Sequence, residues 1–483
     1  MDQRVTELGA GTGRAVPLVV DLDGTLLATD TLHEGFLALL GARPVRALAA
    51  LAWLGAGRAA FKDRVAAESP LDVGTLPARP EVVALIEDAR AEGRPVVLAT
   101  AANRRWAEAA AARFGPFDAV VASDGSTNLS GPAKAEALER AFGAGGFDYV
   151  GDSGPDVAVW ARARHAVVVG PGGRMRVALA AIRPDFAEID TGAGDLGTLT
   201  RALRVHQWVK NLLVFLPALA AHRAGAGDLA VLAATFLAFC AAASAVYLCN
   251  DLLDLAADRD HPRKRKRPFA SGQLPVAAGM RLVPALFAVA FAIAVAAGPP
   301  VAATLAAYVV ATFAYSLWLK RQPIVDVMTL AGLYTMRVFA GAAALGLTPS
   351  PWLLGFCVFL FLCLALVKRL TEIRSRLAEG RGDPVGRGYR LDDAPVVLML
   401  AAAAGYASVL VLALYVDSVA MQRLYETSAG LWAIAVLLLF WLSRLILVAQ
   451  RGEMHDDPIV FAAGDGVSRV VAALVLVAVA GSL

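Results

Sequence analysis

The stretch NDLLDLAADRDHPRKRKRPFASG, Asn250 to Gly272, lies between two long apolar runs and decides how the chain is read. Written on a helix, Asp251, Asp254 and Asp258 fall at i, i+3 and i+7, so their carboxylates share one face. Asn250 joins that face, while Leu252, Leu253 and Leu255 can pack. Three carboxylates converging at the end of a membrane helix repel one another. A divalent cation relieves the repulsion, and Mg²⁺ suits an all-oxygen ligand set and a diphosphate. Arg263, Lys264, Arg265, Lys266 and Arg267 follow at once, a basic strip suited to phosphate oxygens. A solvated loop obeying the positive-inside rule accounts for the basic run but not for the carboxylates.

Asn-Asp-x-x-Asp-x-x-x-Asp after an apolar helix, followed by Arg-Pro-x-Ala-Ser-Gly, resembles the first aspartate-rich motif of the UbiA-type intramembrane prenyltransferases. The His-Pro-x-Lys-x-x-Arg-Pro form at His261 to Pro268 looks most like the branch that makes polyprenyl-phosphate phosphoribose. Quinone-type members carry Arg-Thr where this chain has Arg263-Lys264. The resemblance covers the chain from Arg204 to its end.

Composition agrees with a membrane protein carrying a soluble part. Of 483 residues, 58% are hydrophobic, and the excess is uneven. Apolar runs of membrane length recur from Gln207 onward, whereas the preceding part alternates apolar and charged segments. The length suits two or three domains. A net charge of +3 is too mild to argue for nucleic acid. Cys240, Cys249, Cys357 and Cys363 all lie inside apolar runs, which reads as core packing and not as a disulfide or zinc framework. Residues 1–14 are polar and Gly-rich, a flexible tail without a signal peptide.

Before the membrane part, four clusters come in order. Pro17 to Val20 is a buried-strand pattern that runs into Asp21-Leu-Asp23-Gly24-Thr25. A second apolar strand, Val96 to Ala99, ends at Thr100, Lys134 opens a helix, and a third strand ends at Gly151-Asp152 with Asp156 just beyond. Strands alternating with helices imply a parallel α/β sheet with its ligand at the strands' carboxyl ends. The set resembles the haloacid dehalogenase superfamily of phosphatases. That resemblance implies Asp21 as the nucleophile and Asp23 as acid and then base. Thr100 and Lys134 would hold phosphoryl oxygens. Asp21, Asp152 and the backbone carbonyl of Asp23 would bind Mg²⁺, with Asp156 orienting that shell. The insert from Thr31 to Pro80 should form a helical cap. Its apolar part, Val45 to Gly55, is too short to span a bilayer; it either packs inside the cap or rests on the membrane.

The expected architecture is therefore a flexible tail (1–14), an α/β phosphatase domain (15–186), a linker (187–203) and an all-α polytopic membrane domain (204–483). The last has about nine transmembrane helices, the first at 207–221 and the last at 466–483. Basic residues cluster in loops after even-numbered spans, so the positive-inside rule puts the acidic motif and the phosphatase on the cytoplasmic side of the cell membrane. Lys210, Asn211, Tyr315, Lys320, Lys368, Arg369 and Glu372 gather on that side, and Arg337 lies within a span, where a charge is costly outside a polar cavity. His455-Asp456-Asp457-Pro458 is a further candidate to close the site. Aromatic prenyltransferases place a second Asp-x-x-x-Asp after the sixth span, where this chain has Asp392-Asp393.

The resemblance implies transfer of 5-phosphoribose from phosphoribosyl pyrophosphate to a polyprenyl phosphate. Asp251, Asp254 and Asp258 would hold Mg²⁺ on the diphosphate, Lys264, Arg267, Lys368 and Arg369 would neutralise it, and Lys210 and Arg337 would hold the lipid phosphate. The expected partners are those two substrates and the lipid bilayer; an oligomer is compatible with them. Two other readings stay open: prenyl transfer from a prenyl diphosphate to a small acceptor, and a non-catalytic anchor or transporter fused to a phosphatase.

Overall fold

The computed structural model describes residues 15–170, 172–192, 194–383, 387–416, 429–454 and 457–482. The expected tail at 1–14, His455 and Asp456 lie outside the described residues. By internal contacts the chain divides into two compact units. One holds the chain up to Leu203 together with Tyr247–Val283; the other holds Arg204–Val246 and the chain from Pro284.

In the first unit, six strands form one sheet in the order β3-β2-β1-β4-β5-β6, every pair parallel. They are β1 (Leu18–Val20), β2 (Val96–Asn103), β3 (Ala119–Ser123), β4 (Asp148–Gly151), β5 (Ala166–Val169) and β6 (Ala187–Ile189). The central strands are buried on both faces, as parallel strands covered by helices must be. Alternation divides their side chains between two cores. Leu18, Val20, Val96 and Leu98 join one, and Val19, Val97 and Ala99 join the other. Because β1 lies between β2 and β4, the chain departs to opposite sides from this point, and a crevice opens beyond the strand ends.

The insert after β1 is helical: α1 (Thr31–Ala42), α2 (Pro44–Ala50), a 3₁₀ stretch at Leu51–Ala56 and α3 (Arg58–Glu68). In its apolar part Ala47 and Ala50 are buried and Trp53 packs on the core, while Val45, Leu48 and Leu54 are exposed. The segment packs by one face and presents apolar side chains by the other. Helices α4 (Pro80–Ala91), α5 (Arg104–Phe114) and α6 (Pro132–Phe142) complete the crossovers used below.

Among the described residues, seven helices are long and apolar enough to cross a membrane. They are α7 (Ala226–Leu253), α9 (Val276–Ala297), α10 (Pro299–Leu317), α11 (Val325–Ala344), α12 (Pro351–Ala378), α13 (Ala394–Val416) and α14 (Ala429–Gln450), with the short α8 (Leu255–Asp260) between the first two. A bent pair, α15 (Pro458–Gly464) and α16 (Gly466–Ala480), turns by 85° and makes an eighth if counted as one span. Within the second unit, Val327, Phe361, Leu364, Val397 and Leu442 build one core, and Phe239, Ala290, Leu305 and Ala340 another. Val310, Met399, Leu410 and Val436 point outward, the pattern of helices whose surroundings are as apolar as their cores. The chain is an integral membrane protein.

The expectation of nine spans is corrected to seven or eight among the described residues. The stretch expected as a first span, 207–221, is a 3₁₀ segment (Val205–Phe215) followed by the short helix Leu216–Ala220. Its two central polar residues, Lys210 and Asn211, are buried and bonded inside the unit, and left-handed Arg204 and His222 lie at its ends. The expected last span is bent.

Candidate active sites

Asp21 leaves the end of β1. Its Oδ1 accepts from the Leu22 N–H at 2.8 Å, and its Oδ2 lies 3.2 Å from the Lys134 ammonium. Lys134, near the start of α6, also donates to Tyr149 (2.7 Å) and Asp156 (3.0 Å), and all four side chains are buried. Asp156 accepts from Tyr149 and Ser153 as well, so both of its oxygens are engaged. Asp152 follows β4 and stands over Gly24, whose φ of +74° and lack of a side chain let the loop pass beneath; a Cβ there would meet Asp152 Oδ2 at 2.1 Å. Asp23 accepts from the N–H and hydroxyl of Thr31 at 2.8 and 3.2 Å. Thr100 is buried in β2, its hydroxyl accepting from the Ala102 N–H. Asp21, Asp23, Thr100, Lys134, Asp152 and Asp156 line one cavity of ≈ 320 Å³.

The site holds more negative charge than Lys134 can balance. Burial, reinforced by Asp156 and opposed by Lys134, lifts the Asp21 carboxyl to about 6. Burial and then the Asp21 charge push Asp152 up to about 8. Burial and neighbouring Asp30 hold Asp23 well above the usual carboxylate range. Burial opposes the charge on Lys134, but Asp21 and Asp156 keep its pKa above the ordinary lysine value. Asp21, Asp152 and Asp156 can each offer an oxygen within 4.8 Å of the others. An oxygen-only set with excess negative charge fits Mg²⁺.

The acidic motif is organised differently from the sequence expectation. The helix is interrupted within it: α7 ends at Leu253 and α8 begins at Leu255, with Asp254 at the break between them. Asp251 and Asp258 are buried and both accept from Arg267 Nη1, at 3.0 and 2.6 Å. Lys264 lies 4.0 Å from Asp258, Asp254 is exposed and Asn250 half-buried. The Arg267 guanidinium bridges the two carboxylates.

Two polar groups of the second unit gather residues expected at the site. In one, Asp457 Oδ2 accepts from Lys210 at 2.7 Å and Lys368 at 2.9 Å, with the Tyr334 hydroxyl at 3.3 Å. Arg337 donates to Asn211 at 2.8 Å and to the Tyr308 hydroxyl at 2.9 Å. Lys210 and Arg337 both approach the Tyr334 ring, at 5.8 and 5.6 Å from its centroid. In the other group, buried Arg369 meets Asp326 at 2.9 Å and also Glu372, while Tyr315 accepts from Arg369 and Arg387. Lys320 lies half-buried in the turn after α10. Asp392 and Asp393 form a 3₁₀ turn, with Asp393 accepting from the Arg390 N–H.

With this geometry in hand, the chain was compared with known proteins. Residues 211–478 match the model of the UbiA prenyltransferase family. The chain belongs to that family. Residues 18–159 match the haloacid dehalogenase-like hydrolases, so a UbiA domain follows an N-terminal hydrolase domain. An uncharacterized protein of Sinorhizobium fredii, y4nM, is 36% identical over 470 residues, 96% of this chain and 90% of that one. The decaprenyl-phosphate phosphoribosyltransferase of Corynebacterium glutamicum is 36% identical over 183 residues, 36% of this chain and 54% of that enzyme. Among solved structures, a UbiA homolog from Archaeoglobus fulgidus bound to GPP and Mg²⁺ is 15% identical, covers 59% of this chain and 99% of that one, and has a TM-score of 0.45.

Several polar residues at these sites escaped the sequence. Tyr149 and Asp30 in the hydrolase domain, and Tyr308, Tyr334, Arg387 and Tyr389 (whose hydroxyl donates to Asp326 at 2.8 Å) in the UbiA domain, carry no motif. Asp457 had one signal, an acid directly before Pro458 at the head of an apolar helix, which is the mark of a cap.

Proposed function

We propose that this chain is a bifunctional membrane enzyme. Its UbiA domain transfers 5-phosphoribose from phosphoribosyl pyrophosphate to a polyprenyl phosphate, and its hydrolase domain removes the 5-phosphate from the lipid-linked product. The observation that carries the reading is the similarity to a decaprenyl-phosphate phosphoribosyltransferase, in a chain that also holds the Asp21–Lys134 site.

In the transfer, a phosphate oxygen of the lipid forms a bond to the anomeric carbon as the bond to diphosphate breaks, and diphosphate leaves with the electron pair. The acceptor is already an anion, so no general base is needed. Lys264, Arg267, Lys368 and Arg369 meet the negative charge of the diphosphate, and Tyr315 and Glu372 orient Arg369. Lys210 and Arg337 hold the lipid phosphate, while Asn250, Asn211 and Lys320 complete the polar lining. Asp251, Asp254 and Asp258 would hold the Mg²⁺ that accompanies the diphosphate, supplying positive charge to the leaving group.

In the hydrolysis, Asp21 attacks the phosphorus of the 5-phosphate and Asp23 protonates the departing ribose oxygen. Asp23 then takes a proton from the water that opens the aspartyl-phosphate. Lys134 and Thr100 hold the phosphoryl oxygens. Mg²⁺ held by Asp21, Asp152 and the Asp23 carbonyl would neutralise the phosphoryl group. The lipid phosphodiester carries no free monoester and is spared. The sites face the cytoplasm of the cell membrane in this reading.

Mass spectrometry of lipids tests both halves. Wild type given phosphoribosyl pyrophosphate and decaprenyl phosphate should yield lipid-linked ribose, and Asp21→Asn should accumulate lipid-linked phosphoribose. Identical product masses refute the phosphatase half. A product formed only from a prenyl diphosphate and an aromatic acceptor refutes the transfer half.

A further inference from the structure

The cavity around Asp21 is not walled by the hydrolase sequence alone. Pro275, Val276 and Ala277 also line it, as His33 does, and they belong to the same compact unit. Val276 is the first residue of α9, one of the helices long enough to cross a membrane. Arg281, one turn further on, folds back so that its Nε donates to the Ala277 carbonyl at 3.2 Å. The hydrogen bond to Asp30 raises the His33 pKa, against burial and the positive charge of Arg281.

This wall is fastened from behind. Arg259 on α8 makes a two-pronged ion pair with Glu34 on α1, and the two side chains are 8% and 2% exposed. Glu34 also accepts from the Thr29 hydroxyl at 2.7 Å, and the Thr29 carbonyl accepts from the Gly24 N–H in the loop that carries Asp23. On its other side Arg259 donates to the Ala270 carbonyl at 3.2 Å. Gly272, at φ +77°, then lies so close to Ala28 that a Cβ there would come within 2.6 Å of the Ala28 Cβ. A buried charge pair is a weak source of net stability, but it is strongly disrupted when one partner goes, so it fixes which surfaces meet.

We propose that Pro275–Ala277 with Arg281, held by the Glu34–Arg259 pair, are the substrate-selecting wall of the phosphatase, which admits phosphomonoesters borne on a membrane lipid in preference to soluble ones. A cavity bounded by the first turn of a membrane helix opens where a lipid-linked headgroup emerges. The Arg281 guanidinium supplies a cation for the second, diester phosphate of such a headgroup. The proposal rests on the phosphatase reading above and names what that site accepts.

The test uses the full chain in vesicles with three phosphomonoesters: ribose 5-phosphate, dioleoyl phosphatidate and decaprenyl-phosphate 5-phosphoribose. Wild type should favour a membrane-borne ester. Arg259→Met should reduce the ratio of membrane-borne to soluble kcat/KM about tenfold, and Arg259→Lys should restore much of it. Because Arg259→Met leaves Glu34 buried without its partner, the exposed Arg281→Gln provides an independent reading. It should raise KM for the lipid-linked phosphoribose about tenfold more than KM for ribose 5-phosphate, with kcat for the two falling in parallel if at all. A wild type with no preference for either lipid overturns the wall, as does a preference that both variants leave intact. Cleavage of phosphatidate but not of the lipid-linked phosphoribose refutes the substrate named under the proposed function and leaves the wall standing.

Discussion

Lys210 donates to Asp457 across 247 residues of sequence, at 2.7 Å, with both side chains almost wholly buried. Lys368 shares the same carboxylate oxygen but is about one-third exposed. The shared carboxylate holds side by side two cations that would otherwise repel each other.

That inequality predicts unequal stability losses. Lys210→Met leaves a buried carboxylate short of its buried partner and should cost about 3 kcal/mol, toward the lower end for a broken buried pair. Lys368→Met removes a more solvated partner and should cost less. Thermal unfolding of the purified protein in detergent compares them; equal losses would refute the ranking.

The acidic motif and the hydrolase site should fail separately. Asp251→Ala should abolish lipid-linked product while hydrolysis of a small phosphomonoester persists, and Asp21→Asn should do the reverse. Near wild-type lipid glycosylation by Asp251→Ala would remove this residue from the transferase site.

Metal dependence should distinguish two neighbouring acids. Asp156 has both oxygens engaged by Lys134, Tyr149 and Ser153, so Asp156→Asn should lower Mg²⁺ affinity about 10–100-fold and be rescued by excess Mg²⁺. Asp152→Asn removes an expected ligand and should resist rescue. Phosphatase activity measured against Mg²⁺ concentration tests both; the reverse order would exchange their roles.

Orientation can be read by thiol labelling. A cysteine at Arg265 should react from the cytoplasmic face alone, and one at Thr348, in the turn after α11, from the outer face alone. Cys240, Cys357 and Cys363 are buried and should react slowly. Labelling of Arg265→Cys from outside intact cells would invert the topology.

The hydrolase acids were legible because a parallel sheet gathers the ends of its strands. Once Asp21 is placed after β1, Thr100 within β2 and Asp152 after β4, three neighbouring parallel strands bring them together. The UbiA domain offers no such rule. Lys210 meets Asp457 through helix packing, which leaves no local period in the sequence. Helical spacing put Asp251, Asp254 and Asp258 on one face, but it carries no sign of the break at Asp254, which separates two helices and leaves that residue exposed while Asp251 and Asp258 are buried on Arg267. Hydropathy suggested a span at 207–221 because it averages over Lys210 and Asn211, whose burial depends on Asp457 and Arg337.

The buried meeting of Glu34 and Arg259 also says where this protein can be cut. A break just after β6, at Asp190–Thr191, severs one peptide bond and leaves that packing untouched. Two fragments produced together, one ending there and one beginning there, should find each other again and copurify, whereas the hydrolase fragment made alone would display an uncovered carboxylate and the bare surface around Ala28. The covalent fusion is then a convenience of delivery, and the noncovalent seam is what makes the two halves one machine.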